Sequence, residues 1–487
     1  MWLRELRVRN LKRLRDFTLD LKRPDGSTRM WTILIGRNGT GKSSILQAAA
    51  LAAAGNFRAD DLVRDARESL PDKRLEKSIK TPRGGTRIVS EEVSIAADFM
   101  FGPVGRYDPT SHPFKRPDDL FLFDDGEGEL LRSRTWIRPD RAVQGSAQYV
   151  DSTAPALGNS EDKALAGGDR TADRSRSGTR DTDPLVAARE DDLAHWFVAG
   201  YGVQRDLPET ALTVQRPERP SIDRLRPLFG PRQLIGPNFQ ALFDSKKVAL
   251  AYASLLRDVL LRIETLVPGI VDIELRGKGG VTKAEHLTKS HRFVQEVSGQ
   301  KLKLPARWLS HGYQSSLAWI ADLVGQVVLE AGASVKPERM EGLVLVDEID
   351  LYLHPTWQVG LIHALRETFP KLQFIATTHS PILLSAFRRD EVVMLDFDAE
   401  GNVVQVPTPR DPRLLTGSEL YEWFFGIDKL YPADLGEILE RYTRLATDPS
   451  RTPEEHATAE RLREELHRQD IDPGIPLDLP RKHDRAG

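Results

Sequence analysis

Gly36-Arg37-Asn38-Gly39-Thr40-Gly41-Lys42-Ser43 has the spacing G-x-x-x-x-G-K-[ST]. An apolar run, residues 31–35 (WTILI), comes before it, and residues 44–50 (SILQAAA) read as a helix after it. A strand, a glycine loop and a helix start in that order form a cradle for phosphates. Glycines let successive backbone N–H groups converge without Cβ clashes, and the helix start adds partial positive charge. Gly36, Asn38, Gly39, Thr40, Gly41, Lys42, Ser43 and Ser44 are therefore the candidate nucleotide-binding residues. Lys42 is placed to meet the β- and γ-phosphates of a nucleoside triphosphate, and the Ser43 hydroxyl to ligate Mg2+. The plainer alternative is a glycine-rich strand-to-helix turn that binds nothing.

Composition sets wide bounds around that loop. The 487 residues suffice for two to three domains' worth of core, with 40% hydrophobic and 29% charged residues. A formal net charge of −3 announces no global basic field, although a local basic groove for nucleic acid stays possible. Cysteine is absent, which removes disulfides, thiolate metal sites and cysteine nucleophiles together and fits a cytoplasmic protein. Residues 1–9 alternate charged and apolar side chains, unlike a signal peptide, and no run approaches 18 apolar residues. No membrane partner is expected.

Along the chain, Leu3, Leu6 and Val8 read as a strand, and Phe17, Leu19 and Leu21 as a second. Pro24-Asp25-Gly26 turns the chain toward the phosphate loop. Residues 57–90 are charged and mixed, and residues 92–101 (EVSIAADFMF) read as another strand. Residues 139–186 are dominated by Asp, Arg, Ser, Thr, Gly and Ala, too polar to offset their ordering entropy, and are expected to be a flexible insertion. Residues 193–203 return to an apolar strand that ends at Gln204-Arg205. Residues 244–266 form an amphipathic helix with Tyr252, Leu255, Leu256, Val259, Leu260, Ile263 and Leu266 on one face. Residues 270–275 and 292–297 are strand-like. After Phe397 the α/β pattern is expected to stop, leaving two helices over 430–469 broken at Asp448-Pro449. The second helix has Thr452 as N-cap and Pro453 at its first position.

Three further motifs bear on chemistry. Glu341-Gly342-Leu343-Val344-Leu345-Val346-Asp347-Glu348 is an apolar strand ending in two carboxylates, about 300 residues beyond the glycine loop. Strand C-termini in α/β sheets aim side chains at the ligand crevice. Asp347 would share the Mg2+ with Ser43, and Glu348 would take a proton from an attacking water. Leu309-Ser310-His311-Gly312-Tyr313-Gln314-Ser315 opens a helix whose Leu317, Ile320, Val324 and Val327 share a face. Ser310 is either a simple N-cap or part of a second anion site met by another subunit's γ-phosphate, with Gly312 allowing close backbone approach. Phe374-Ile375-Ala376-Thr377-Thr378-His379-Ser380-Pro381 is a third apolar strand, its histidine 31 residues after Glu348, room for a helix over 356–369 between parallel strands. His379 is either structural or a sensor of the γ-phosphate.

Together the glycine loop, the L-S-x-G-x-x-S stretch, the D-E pair and the histidine, in that order, resemble the ABC-type ATPase superfamily. The form D-E-I-D-L-Y-L-H-P-x-W-Q, followed by A-T-T-H-S-P, looks like its stand-alone branch. That branch includes SMC and RecF-like repair ATPases, overcoming-lysogenization-defect ATPases, and the ATPase subunits of anti-phage systems such as Septu and retrons. The opening E-L-R-V-R-N-L-K-R-L and residues 201–205 (YGVQR) resemble this branch too, so the likeness covers about 1–55, 195–206 and 300–400.

The resemblance implies an α/β fold: a P-loop NTPase of ABC-ATPase head type, with a mixed central sheet, an antiparallel β subdomain and a helical lobe. It divides the chain into an N-terminal ATPase part (1–110), an insertion (111–190), the Q-loop strand (191–215), a helical lobe with the signature (216–335), the part with the twin acids and switch histidine (336–410), and a helical extension (411–487). It implies ATP and Mg2+ as ligands and a head-to-head homodimer, or a higher homo-oligomer. Each nucleotide would lie between Lys42, Ser43, Asp347, Glu348 and His379 of one copy and Ser310, Gly312 and Gln314 of the other. Gln204 matches the Q-loop glutamine as a nucleotide and metal contact, and Asp350 belongs to the dimer loop. His311 stands where the transporter signature has a second glycine, His354 replaces an acid at the end of the dimer loop, and no tyrosine platform for the base is evident, leaving Lys12 or Arg13.

Three functions compete. One is an ATPase acting as sensor or scaffold of an anti-phage complex with a separate effector, a nuclease for example. A second is a repair-type ATPase clamping duplex DNA, and a third an ATP-gated switch with little turnover. A nuclease within this chain, suggested by Asp396-Phe397-Asp398, is set aside because that pair reads as the end of the last sheet strand. The tail, with Leu435, Ile438, Leu439 and Tyr442, either caps its own domain or docks a partner.

Overall fold

Alternating apolar residues build the first hairpin. In the computed structural model β1 (Trp2–Leu11) pairs antiparallel with β2 (Leu14–Asp20), Leu6 opposite Leu19 and Val8 opposite Phe17, all four buried. The structure describes residues 1–64, 70–80, 86–100, 130–138, 143–150, 197–205, 223–230, 234, 246–262, 270–274, 292–305, 308, 311–331, 336–427 and 433–477. β3 (Trp31–Gly36) is an uninterrupted apolar run, buried on both faces as a central parallel strand requires. It feeds α1 (Lys42–Ala54), whose Ala/Leu-rich surface is buried all round. α2 (Asn56–Val63) and the hairpin of β4 (Lys77–Lys80) and β5 (Thr86–Val89) give order to part of the charged stretch 57–90.

β6 (Val93–Met100), β7 (Leu130–Ile137) and β8 (Gln144–Val150) extend the first hairpin into a five-stranded antiparallel sheet, order β2-β1-β6-β7-β8. β8 corrects the expectation for 139–186 at its start: its sequence, QGSAQYV, is ordered by a full ladder to β7 and not by its own apolar content. The rest of that segment lies outside the described residues.

The second sheet is assembled from distant strands. β9 (Val198–Tyr201) is followed by α3 (Lys246–Arg262), the expected amphipathic helix, and by the antiparallel trio β10 (Ile270–Glu274), β11 (Arg292–Val297) and β12 (Gln300–Pro305). Next come α4 (His311–Ala331), β13 (Gly342–Val346), α5 (Pro355–Thr368), β14 (Leu372–Thr377), the short α6 (Pro381–Leu384), β15 (Val392–Phe397) and β16 (Val403–Val406). The sheet order is β16-β15-β3-β14-β13-β9, parallel except for β16. β16 corrects the expectation that the α/β pattern ends at Phe397: the turn at Gly401 (φ +75°) returns the chain as an antiparallel edge strand. α1 lies between the two sheets, touching β1, β6 and β7 on one side and β3, β9, β13 and β14 on the other. Every element that reaches the phosphate loop thus shares one core.

Met1–Leu415 forms one unit and Thr416–Gly487 a second. The second contains α7 (Gly417–Phe425), α8 (Ala433–Thr447) and α9 (Pro453–Arg468). Tyr442, Leu445, Ala446, Ala459 and Leu466 form its own small core. Thr452 caps α9 as expected, its hydroxyl accepting from the Glu455 N–H while the Glu455 carboxylate accepts from the Thr452 N–H.

Candidate functional site

The glycine loop leaves β3 at Gly36 (φ +153°), where a Cβ would stand 2.5 Å from the Leu395 carbonyl oxygen. Only glycine fits there. Gly41 (φ +76°) is the N-cap of α1 and offers no side-chain cap, so the first N–H groups of the helix are left to the loop. The Thr40 hydroxyl is buried and donates to the Arg37 carbonyl at 2.8 Å. Lys42 Nζ donates to the Gly36 and Arg37 carbonyls at 2.7 and 3.2 Å, which holds the ammonium over the loop. Asn38, Gly39 and Ser43 are exposed, whereas Ser44 is buried beneath the loop.

The twin acids lie at the end of β13, two strands from β3 in the same sheet. Asp347 is buried and accepts from the Thr377 hydroxyl at 2.7 Å. The same hydroxyl accepts from the Glu348 N–H at 2.7 Å, so one threonine at the end of β14 ties both acids. Glu348 is a left-handed residue (φ +48°), uncommon outside glycine and costly unless its neighbours impose it. The buried guanidinium of Arg205 supplies the second restraint. Its Nη2 donates to the carbonyls of Asp347 and of Glu348, the latter at 2.9 Å, and its Nε to the Gly202 carbonyl at 2.6 Å. Burial pulls the Arg205 pKa down to about 10, opposed by Asp347, Asp350 and Glu348, so it stays protonated at neutral pH.

The charges of the site act on one another. Burial lowers the pKa of Lys42, and the carboxylates of Asp347 and Glu348 counter it. Burial and then the Lys42 cation lower that of His379, against the pull of Glu348, Asp350 and Asp347, which keeps the imidazole neutral at physiological pH. Asp350 accepts from the Thr378 hydroxyl, and burial raises its pKa. Lys42, Asp347, Glu348, Asp350 and His379 are therefore brought together by the pairing of β3, β14 and β13.

Other expected residues fare differently. Gln204 is exposed, just beyond β9, whose Tyr201 pairs with Val346 beside the acids. Ser310 lies outside the described residues. Gly312 and the partly buried Gln314 fall in the first turn of α4. His354 is the N-cap of α5 and accepts from the Thr356 N–H. Of the two base-platform candidates, Arg13 has its guanidinium 4.9 Å from the Phe397 ring centroid, and burial lowers the pKa of Lys12.

Among the described residues no group of three or more His, Cys, Asp or Glu could hold a metal ion. The Ser43 hydroxyl and the Asp347 carboxylate are an all-oxygen donor set, which suits Mg2+ held jointly with substrate phosphates. Arg205, Thr377 and Tyr201 lie in stretches quoted from the sequence, but no motif there assigns them a role of their own. Arg205 bonds backbone carbonyls, and the side-chain partners of Thr377 and Tyr201 are distant in the chain, so the twin acids themselves were the available signal that such a brace is needed.

Two ATPase families match parts of the chain: "AAA ATPase domain" over residues 1–82 and "AAA domain, putative AbiEii toxin, Type IV TA system" over residues 211–385. The chain is similar to Septu protein PtuA of Bacillus mycoides (strain KBAB4), 33% identical over 159 residues, covering 32% of this chain and 22% of that protein. It is similar to Septu protein PtuA of Bacillus thuringiensis, 32% identical over 146 residues, covering 29% of this chain and 37% of that protein. The Escherichia coli protein named "Retron Ec83 probable ATPase" is 34% identical over 150 residues, covering 31% and 27%. The chain thus matches well under half the length of these curated relatives. A solved SmcHead bound to the C-winged helix domain of ScpA has a TM-score of 0.47 at 14% identity, covering 83% of this chain and 98% of that one.

Proposed function

We propose that the protein binds Mg2+ and ATP at the glycine loop and hydrolyses ATP to ADP and phosphate. The observation that carries this reading is the convergence of the Lys42 ammonium, the two acids after β13 and His379 at the end of one parallel sheet. Lys42 and the free N–H groups at the start of α1 bind the phosphates. Ser43 and Asp347, with Gln204, would hold Mg2+, which neutralises charge developing on the phosphates when bound. Glu348 orients the water and accepts its proton, and a neutral His379 hydrogen-bonds the γ-phosphate oxygens. Ser310 and Gly312 of a second copy close the site, making ATP the link between two heads.

At the level of the organism, we read the chain as the sensing or scaffolding ATPase of an anti-phage complex whose effector is a separate protein. Likeness to Septu and retron ATPases supports this. The test of the chemistry is Glu348→Gln. ATP affinity is expected to stay within a few-fold of the parent while turnover falls by at least about 100-fold, the scale of a lost general base. Turnover equal to the parent's would refute Glu348 as the base.

A further inference from the structure

Arg205 meets the acids through their backbones and not their carboxylates. Its Nη2 reaches the carbonyls of two successive residues, Asp347 and Glu348, and its Nε reaches the carbonyl of Gly202, at the end of the strand paired with β13. On its other side the guanidinium faces the Trp319 ring at 5.9 Å from the centroid, within cation–π range. Trp319 is fully buried on α4, eight residues into the helix that the signature stretch opens. Its ring also lies 5.7 Å from that of Tyr201. Tyr201 joins the two elements again: its carbonyl accepts from the Asp347 N–H at 2.8 Å, and its hydroxyl donates to Asp322, also on α4, at 3.0 Å.

One buried cation therefore touches both the acid loop and the helix. The left-handed Glu348 needs its two peptide groups held: Thr377 holds the N–H and Arg205 the carbonyl. A lysine keeps the charge but cannot fork to three carbonyls. We infer that Arg205 is a positioning residue that sets the direction of the Glu348 carboxylate according to where α4 lies against it, through Trp319. This inference rests on the proposed role of Glu348.

The test uses the full chain with Arg205→Lys, Trp319→Leu and Glu348→Gln, reading kcat, KM, affinity for ATP with Mg2+, and thermal midpoint. A misplaced base slows chemistry while leaving ground-state binding intact. Arg205→Lys is expected to lower kcat by about 10- to 100-fold with KM and ATP affinity within about threefold of the parent. Trp319→Leu is expected to shift kcat in the same direction with KM kept. Arg205→Lys should add little to Glu348→Gln, because both act on one group. A parental kcat for Arg205→Lys beside an inactive Glu348→Gln overturns the inference alone. Loss of affinity, turnover and thermal midpoint together would make Arg205 merely structural and overturn it too. A fully active Glu348→Gln would instead remove the reading of the site on which it rests.

Discussion

Asp322 shows how much one buried side chain can set. It is enclosed, receives the Tyr201 hydroxyl and a Gln326 hydrogen bond, and lies within the field of Arg224 and beside Tyr252. Burial raises its pKa from 3.8 to about 7 despite those partners. The folded state therefore keeps a proton that the unfolded chain gives up near pH 4. The associated stability is full below the unfolded pKa and is lost as pH rises through about 7. Asp322→Asn does not titrate, so its stability relative to the parent should rise by about 1 kcal/mol or more between pH 4 and 7.5. Urea unfolding at several pH values checks this; a difference flat with pH would mean an unperturbed carboxyl. None of this was legible in the sequence, where Asp322 is one acid in an apolar helix. Lys42, Asp347, Glu348 and His379 were legible because each sits at a fixed offset from an apolar strand. The roles of Arg205 and Thr377 were not, since their partners are groups brought near only by folding.

Elements were readable where their periodicity was their own. β3, β13 and β14 are continuous apolar runs, and buried parallel strands need nothing else. β8 and β16 are short or polar, and their order comes from partners that sequence does not name: the ladder to β7 in one case, to β15 in the other. α9 was readable from its cap alone. Its Thr452–Glu455 box satisfies the first-turn N–H of Glu455, so Thr452→Ala should cost about 1 kcal/mol. The loss should appear as faster hydrogen exchange confined to α8 and α9; unchanged exchange there would mean that the cap contributes nothing.

At the scale of the molecule, the α/β class of the first unit was legible because its glycine loop, twin acids and histidine each follow an apolar strand. The division at Leu415–Thr416 is physical: α8, α9 and the stretch after them enclose a core of their own. What one chain does not contain is the proposed closure of its phosphate loop by the signature of another. Complementation tests that closure most directly. Lys42→Ala should lack nucleotide binding, and Ser310→Arg should bind ATP but lack dimer-dependent turnover. Mixed in equal amounts, the two can form one intact site from the Lys42 of one copy and the Ser310 of the other. ATP turnover well above that of either variant alone is the predicted result. A mixture as inactive as its components, or a Ser310→Arg protein that turns over ATP like the parent, would contradict the shared site.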